Sequence, residues 1–206
     1  MYKIGITGSI GTGKTTIASM FAKFSIPIFD ADKEVKKILT RREIKRKIIT
    51  IWPTVLRKNK IDKYKLKNII FSNQHEKKKL EGILYPFLKK ELKKFENVNN
   101  EKKILVYDVP LIYETKSESN YDLILLANCN EKLQKQRVLA RDKISNSLFE
   151  KIIKSQLSFD DKKKFKPKII NTDNFKLFTL INILLLLIKI FLKMKVKNGT
   201  TEKVNS

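Results

Sequence analysis

The sharpest chemistry in the chain lies in eight consecutive residues, Gly8-Ser9-Ile10-Gly11-Thr12-Gly13-Lys14-Thr15. Their types and spacing fit G-x-x-x-x-G-K-[ST] without a gap. The glycines let the backbone turn so that its N–H groups point inward and form an anion nest. A helix starting at Lys14 adds the positive end of its dipole. Lys14 has the reach for β- and γ-phosphates, the Thr15 hydroxyl suits Mg²⁺, and Thr16 stands where it can help hold an α-phosphate. Downstream, Asp30-Ala31-Asp32 and Asp108 each follow an apolar run, and Arg137 and Arg141 are four residues apart. That spacing puts both guanidiniums on one helix face, where they can stabilise charge spread over transferring phosphoryl oxygens. A solvated basic face is the plainer alternative for the arginines, and a helix cap plus a first-turn acid is the plainer alternative for the two aspartates.

A nucleoside triphosphate nest does not select a reaction. GTPases, ATPases and small-molecule kinases all use it. Asp108 is followed by Val109-Pro110-Leu111 and not by D-x-x-G, which weakens a GTPase reading.

The elements that position these residues follow from periodicity. Tyr2–Thr7 is β-rich, and Ile17, Met20, Phe21 and Phe24 recur at helical spacing. Pro27-Ile28-Phe29 reads as a second strand, so the opening is a βαβ unit of a parallel sheet. From Ala31 to about Asn100 the chain is lysine-rich and helical in period, with breaks expected near Pro53 and Pro86 and no strong strand. Asn97–Asn100 reads as its closing loop. Ile104–Tyr107, Leu123–Ala127 and Lys168–Ile170 read as strands, and Asn130 as the N-cap of a helix to about Asp142. In an open parallel sheet ligands bind beyond the carboxyl ends of the strands, which sets Asp30, Asp32 and Asp108 beside the glycine loop. Asp32 or Asp30 could then take a proton from an attacking hydroxyl, and Asp108 could reach Mg²⁺ through water.

Several ordered segments together resemble the dephospho-CoA kinase family. They are Thr7–Thr15 followed by Phe29-Asp30-Ala31-Asp32; Phe71-Ser72-Asn73 with Leu80–Pro86; Val109–Glu114; Gln136-Arg137 with Ala140-Arg141-Asp142; and Ser155-Gln156-Leu157 with Lys162 and Ile169-Ile170-Asn171. The resemblance spans about residues 1 to 175. It implies an α/β, P-loop nucleoside triphosphate hydrolase-like three-layer fold with a parallel five-stranded sheet, a helical insertion and a lid. It also implies one domain over 1–206: core 1–30, 103–135 and 165–195, a CoA-binding insertion over about 31–102, and a lid over about 136–164. The implied reaction is transfer of the ATP γ-phosphoryl group to the ribose 3′-hydroxyl of dephospho-CoA. Asp32, Lys14, Arg137 and Arg141 would be catalytic, with Asp32 the general base. Gly8, Ser9, Ile10, Gly11, Thr12, Gly13, Lys14, Thr15, Thr16 and Asn171 would hold the nucleotide. Asp30, Asp32, Tyr85, Pro110 and Leu111 would contact the acceptor, and Thr15 and Asp108 the metal. Two positions depart from the family pattern: Tyr85 stands where a histidine is usual, and Asp173 where a glycine is usual.

Composition sets the remaining bounds. Forty-five Lys+Arg against 21 Asp+Glu give a formal charge of +24. The excess is spread along the chain and reads mainly as drift toward lysine. A basic P-loop ATPase that binds nucleic acid is therefore a lesser alternative, as is a kinase with another small-molecule acceptor. The single cysteine, Cys129, reads as a buried thiol, His75 as a solvated helix start, and Trp52 as packing. Leu177–Leu192 is strongly apolar but interrupted by Thr179, Asn182 and Lys189, and reads as a core-packed helix, not a span. Asn198–Ser206 reads as a frayed tail. The expected setting is cytoplasmic, with no nucleic-acid partner and a monomer or weak homo-oligomer.

Overall fold

A computed structural model of the chain describes residues 1–58, 60–173 and 176–202, with side chains as far as Lys195. Five strands form one sheet: β1 (Tyr2–Thr7), β2 (Ile28–Asp30), β5 (Ile104–Asp108), β6 (Leu123–Asn128) and β7 (Lys168–Asn171). Their order is β2-β5-β1-β6-β7 and every pair is parallel. All five carboxyl ends therefore meet at one edge. From β1 the chain leaves to one side for β2 and β5 and returns to the other for β6 and β7. The loop after β1 is thus the switch point where such sheets bind ligands.

Burial explains the layers. In β1, Ile4 and Ile6 are inaccessible to solvent, as are Ile17 and Phe21 of α1 (Lys14–Ala22). These pack with Ile183, Leu186, Leu187 and Ile190 of α9 (Lys176–Glu202) into one core. On the opposite sheet face Phe29, Leu105 and Tyr107 meet Leu92 and Phe95 of α5 (Gln74–Val98), with Tyr107 and Phe95 packed edge to face. The result is helix, sheet, helix. Each fully buried aliphatic or aromatic side chain contributes about 1.5–3 kcal/mol.

Between β2 and β5 stand α2 (Ala31–Ile38), α3 (Arg42–Ile51), α4 (Lys63–Ser72) and α5. They build a second small core from Ile38, Ile44, Ile48, Trp52, Leu66 and Leu80. Two expectations for this region change. It holds a short antiparallel hairpin, β3 (Leu56–Arg57) with β4 (Lys60–Ile61). And Pro86 does not break its helix: α5 runs through it for 25 residues. Proline removes the N–H that would bond the Gly82 carbonyl. Gly82 is exposed, so water can take that acceptor. Asn73 caps α5 by accepting from the His75 and Glu76 amides, and His75 is solvated at the helix start.

After β6 come α6 (Glu131–Asp142), α7 (Asn146–Lys154) and α8 (Phe159–Lys163), capped by Asn130, Ser145 and Ser158. Cys129 is buried. The last helix differs from expectation in two ways. It continues to Glu202, so the tail expected from Asn198 is helical that far, and the final four residues lie outside those described. Lys176–Lys195 is also long and apolar enough to cross a membrane by length and composition. One face of it packs on α1 and the sheet, and the other is bare apolar surface.

Candidate active site

The glycine loop joins the end of β1 to α1 through backbone that only glycine adopts readily. Gly11 and Gly13 lie at φ +80° and +92°. A Cβ on Gly13 would stand 2.7 Å from Thr172 Oγ1 and 2.9 Å from Thr172 Cβ. The loop is braced by its own residues: the Thr12 hydroxyl, buried, donates to the Ser9 carbonyl at 2.8 Å. Its tip is held from both sides. Gln134 of α6 donates to the Ile10 carbonyl at 2.6 Å, and Gln156 accepts from the Ile10 amide at 3.2 Å. Lys14 folds back, donating to the carbonyls of Gly8 (2.8 Å) and Ser9 (2.9 Å). These are bonds that phosphate oxygens can replace.

The loop opens into a cleft of about 2270 Å³ that reaches from Lys14, Thr15 and Thr16 to the helical insertion. Sites for one drug-sized ligand run to roughly 1,000 Å³, so this cleft has room for two substrates end to end. Asp32, Tyr85, Pro110, Leu111, Arg137 and Arg141 all line it. Lysines of the insertion, among them Lys36, Lys67 and Lys89, make its far wall cationic.

The carboxylates divide by environment. Asp30 ends β2 and caps α2. Its Oδ1 accepts from the Lys33 amide at 2.9 Å, and its Oδ2 stands 3.1 Å from Lys33 Nζ. Of the two aspartates, Asp30 is therefore the helix cap, and its expected contact with an acceptor must compete with these bonds. Asp32, two residues on, is exposed in the first turn of α2 and forms no hydrogen bond or ion pair among the described residues. Asp108 ends β5 in register with Asp30 and is only 5% exposed. Burial pushes its carboxyl up to about 6, with Asp30 and Asp32 adding to the rise and Lys14 opposing it. The Lys14 ammonium is held below the ordinary lysine range, first by burial, against the pull of Asp108 and Asp32. For both partners burial outweighs their mutual attraction.

The arginines are placed differently from one another. Arg137 bonds the Thr172 hydroxyl (3.1 Å) and carbonyl (2.9 Å), and so ties α6 to the end of β7. Thr172 Oγ1 in turn donates to the Thr12 carbonyl at 2.8 Å. Arg137 thus braces the glycine loop from its side in place of pointing freely at a phosphate. Arg141 is bidentate on its neighbour Asp142, 2.9 Å on each arm, with its side chain more than half exposed. Asn171 is turned aside: its Oδ1 accepts from the Asp173 amide at 2.8 Å, while Thr172 and Asp173 line the cleft. Glu114 is neither free nor solvated. It accepts from the Leu157 amide at 3.0 Å and lies 3.0 Å from Lys162, which is fully buried.

Sequence reading did not single out Gln134 or Thr172, because nothing local marks a residue whose partner is more than a hundred positions away. The tetrad Asn59-Lys60-Ile61-Asp62 fits the guanine-reading N-K-x-D pattern. Asp62 is the N-cap of α4, accepting from the Tyr64 and Lys65 amides, and is absent from the cleft wall.

The donor set suits a hard divalent cation. Among the described residues no group of three His, Cys, Asp or Glu converges. Thr15 and Asp108 can offer hydroxyl and carboxylate oxygens, leaving the other positions for phosphate and water, which is the way Mg²⁺ is commonly held.

Residues 2–176 match the family model described as "Dephospho-CoA kinase". A dephospho-CoA kinase of Fusobacterium nucleatum is 37% identical over 176 residues, covering 84% of this chain and 91% of that relative. The structure of a dephospho-CoA kinase from Campylobacter jejuni superposes with a TM-score of 0.63 at 26% identity, over 91% of this chain and 96% of that one. A Thermus thermophilus protein superposes with a TM-score of 0.79 at 23% identity over the same shares, a likeness of fold.

Proposed function

The chain belongs to the dephospho-CoA kinase family, and from that premise we infer that it moves the γ-phosphoryl group of ATP to the ribose 3′-hydroxyl of dephospho-CoA, giving CoA and ADP. One observation carries the reading: a carboxylate unpaired among the described residues, Asp32, faces the same cleft as the glycine-loop lysine and a buried metal-type carboxylate, Asp108.

The glycine-loop amides and the α1 N-terminus bind the triphosphate. Lys14 exchanges its bonds to Gly8 and Ser9 for phosphate oxygens. Thr15 and Asp108 would hold Mg²⁺, which would supply charge neutralisation to the phosphates. Asp32 accepts the hydroxyl proton as the ribose oxygen bonds the γ-phosphorus and ADP leaves. Arg141 releases Asp142 to meet the transferring oxygens, and the segment of about 136–164 acts as a lid that excludes water. Gln134, Gln156 and Arg137 keep the loop in shape. The lysine-rich insertion binds the anionic acceptor, with Tyr85 in place of the family histidine offering a hydroxyl and a ring face. Asp30 supports this arrangement as the cap that aims α2, and Asn171 as the turn that presents Thr172. A cytoplasmic setting belongs to the same reading.

The test is direct. The purified chain with Mg-ATP should form CoA from dephospho-CoA. Asp32→Asn should lower kcat by roughly 10²–10⁴-fold, the range of general-base catalysis, with ATP affinity kept. If ATP is consumed on another acceptor and no CoA forms, the reading is wrong.

A further inference from the structure

Helix α9 is apolar on two faces, and only one of them is used by the fold. Ile183, Leu186, Leu187 and Ile190 enter the main core. Leu177, Ile181, Leu184, Ile188 and Phe191 stand on the other side, at successive steps of four, three, four and three residues. Phe178, Leu185 and Leu192 flank that row one position on, seven residues apart. All eight are 43% to 63% exposed. The row lies along about four helical turns with no charged side chain at its centre. Lys189 sits on its rim, and Lys193 and Lys195 at its far end.

We propose that this stripe is a self-association surface, covered in solution by the same stripe of a second copy of this chain. Two observations point to that occupant. The first is period. A repeat of 3.5 residues with isoleucine in one core position and leucine or phenylalanine in the other keeps a seam facing a partner helix. A fluid bilayer asks for apolar surface but for no such register. The second is area. Eight large side chains about half bare leave on the order of 100 Å² each, roughly 800 Å² together. That exceeds the roughly 300–600 Å² of the largest patch on a typical monomer and equals the roughly 800 Å² per partner of a stable interface. A twofold pairing buries the stripe against itself and closes the assembly at two chains. The positive charge of the chain opposes pairing only weakly at physiological salt, because Lys189 and Lys193 lie off the seam, Lys195 falls at its end, and exposed charges are screened within about 8 Å.

The middle of the stripe, Leu184 and Ile188, lines no part of the nucleotide cleft, so association and catalysis separate experimentally. Sedimentation equilibrium of the full chain at micromolar concentration and about 0.15 M salt should give the mass of two chains. Leu184→Glu with Ile188→Glu should weaken association at least about 100-fold and give the mass of one chain. CoA formation and circular dichroism should stay as in the parent. As a check that needs no variant, the Tm of the parent should rise with protein concentration, as it must for a dimer that unfolds to single chains. A single-chain mass throughout with a concentration-independent Tm would overturn the proposal, as would a double variant that still dimerises. So would a monomer that instead pellets with vesicles of phosphatidylglycerol and phosphatidylcholine, which would assign the stripe to a membrane surface.

Discussion

Asp108→Asn should make the protein more stable while abolishing its use of Mg²⁺. The Asp108 carboxyl titrates at about 6 in the fold against an ordinary 3.8. Ionising it inside the protein therefore costs about 3 kcal/mol more than ionising it in the unfolded chain. Below 3.8 both states hold the proton and the cost vanishes. Between 3.8 and 6 the unfolded chain has released a proton that the folded chain still binds, so stability falls as pH rises. Above 6 the whole penalty is present. An amide carries no such penalty. It does leave Lys14 without the carboxylate that attracts it most and has hydrogen bonds of its own to satisfy, which takes back some of the gain. The expected net gain is about 1–3 kcal/mol at pH 8, or roughly 2–12 °C in Tm for a chain of this size. Urea unfolding of parent and variant from pH 5 to 8 measures it: the difference should grow through pH 6 and then level off. The same variant should lose Mg²⁺-dependent CoA formation, and Mg-ATP should no longer raise its Tm more than ATP alone. A variant less stable than the parent at pH 8, or a difference flat across that range, would refute the account of Asp108 as an ion kept buried at a cost for the sake of a cation.

Other outcomes follow from the same geometry. Gly13→Ala places a methyl 2.7 Å from Thr172 Oγ1 on backbone at φ +92°. It should lower stability by at least about 1–3 kcal/mol and weaken ATP binding, read by denaturant unfolding and by calorimetry. Arg141→Lys keeps the charge but loses the two-armed grip. kcat should drop while KM for ATP changes little, as steady-state kinetics with both substrates would show. Glu114→Gln leaves Lys162, which has no exposed surface, without its counter-charge. A loss of about 3–5 kcal/mol is expected in thermal or urea unfolding, with Glu114→Asp recovering part of it.

Much of the fold and part of the site were legible in the chain itself. The glycine loop, the strands and the helix after β1 are local: eight residues of fixed spacing and stretches of one period suffice to specify them. Caps such as Asn73, Asn130 and Ser145 belong to the same class, since each bonds an amide two or three residues on. The position of Asp30, Asp32 and Asp108 at strand ends also follows from strand length and parallel order.

Only tertiary structure decided what those groups do once assembled. Asp30 and Asp32 are near-identical in sequence terms. Hydrogen bonding makes one a cap and leaves the other facing the cleft. Arg137 and Arg141 share a helix face, yet one bonds Thr172, 35 residues away, and the other its own neighbour. Gln134 and Gln156 reach Ile10 across more than 120 positions. The apolar run of α9 reads as core from composition, but a helix in an outer layer can bury only the face turned to the sheet. Periodicity and turn chemistry act over a few residues and are written in order along the chain. Burial, pKa and the choice of hydrogen-bond partner depend on which distant elements pack together, and that is settled by the sheet and the layers upon it.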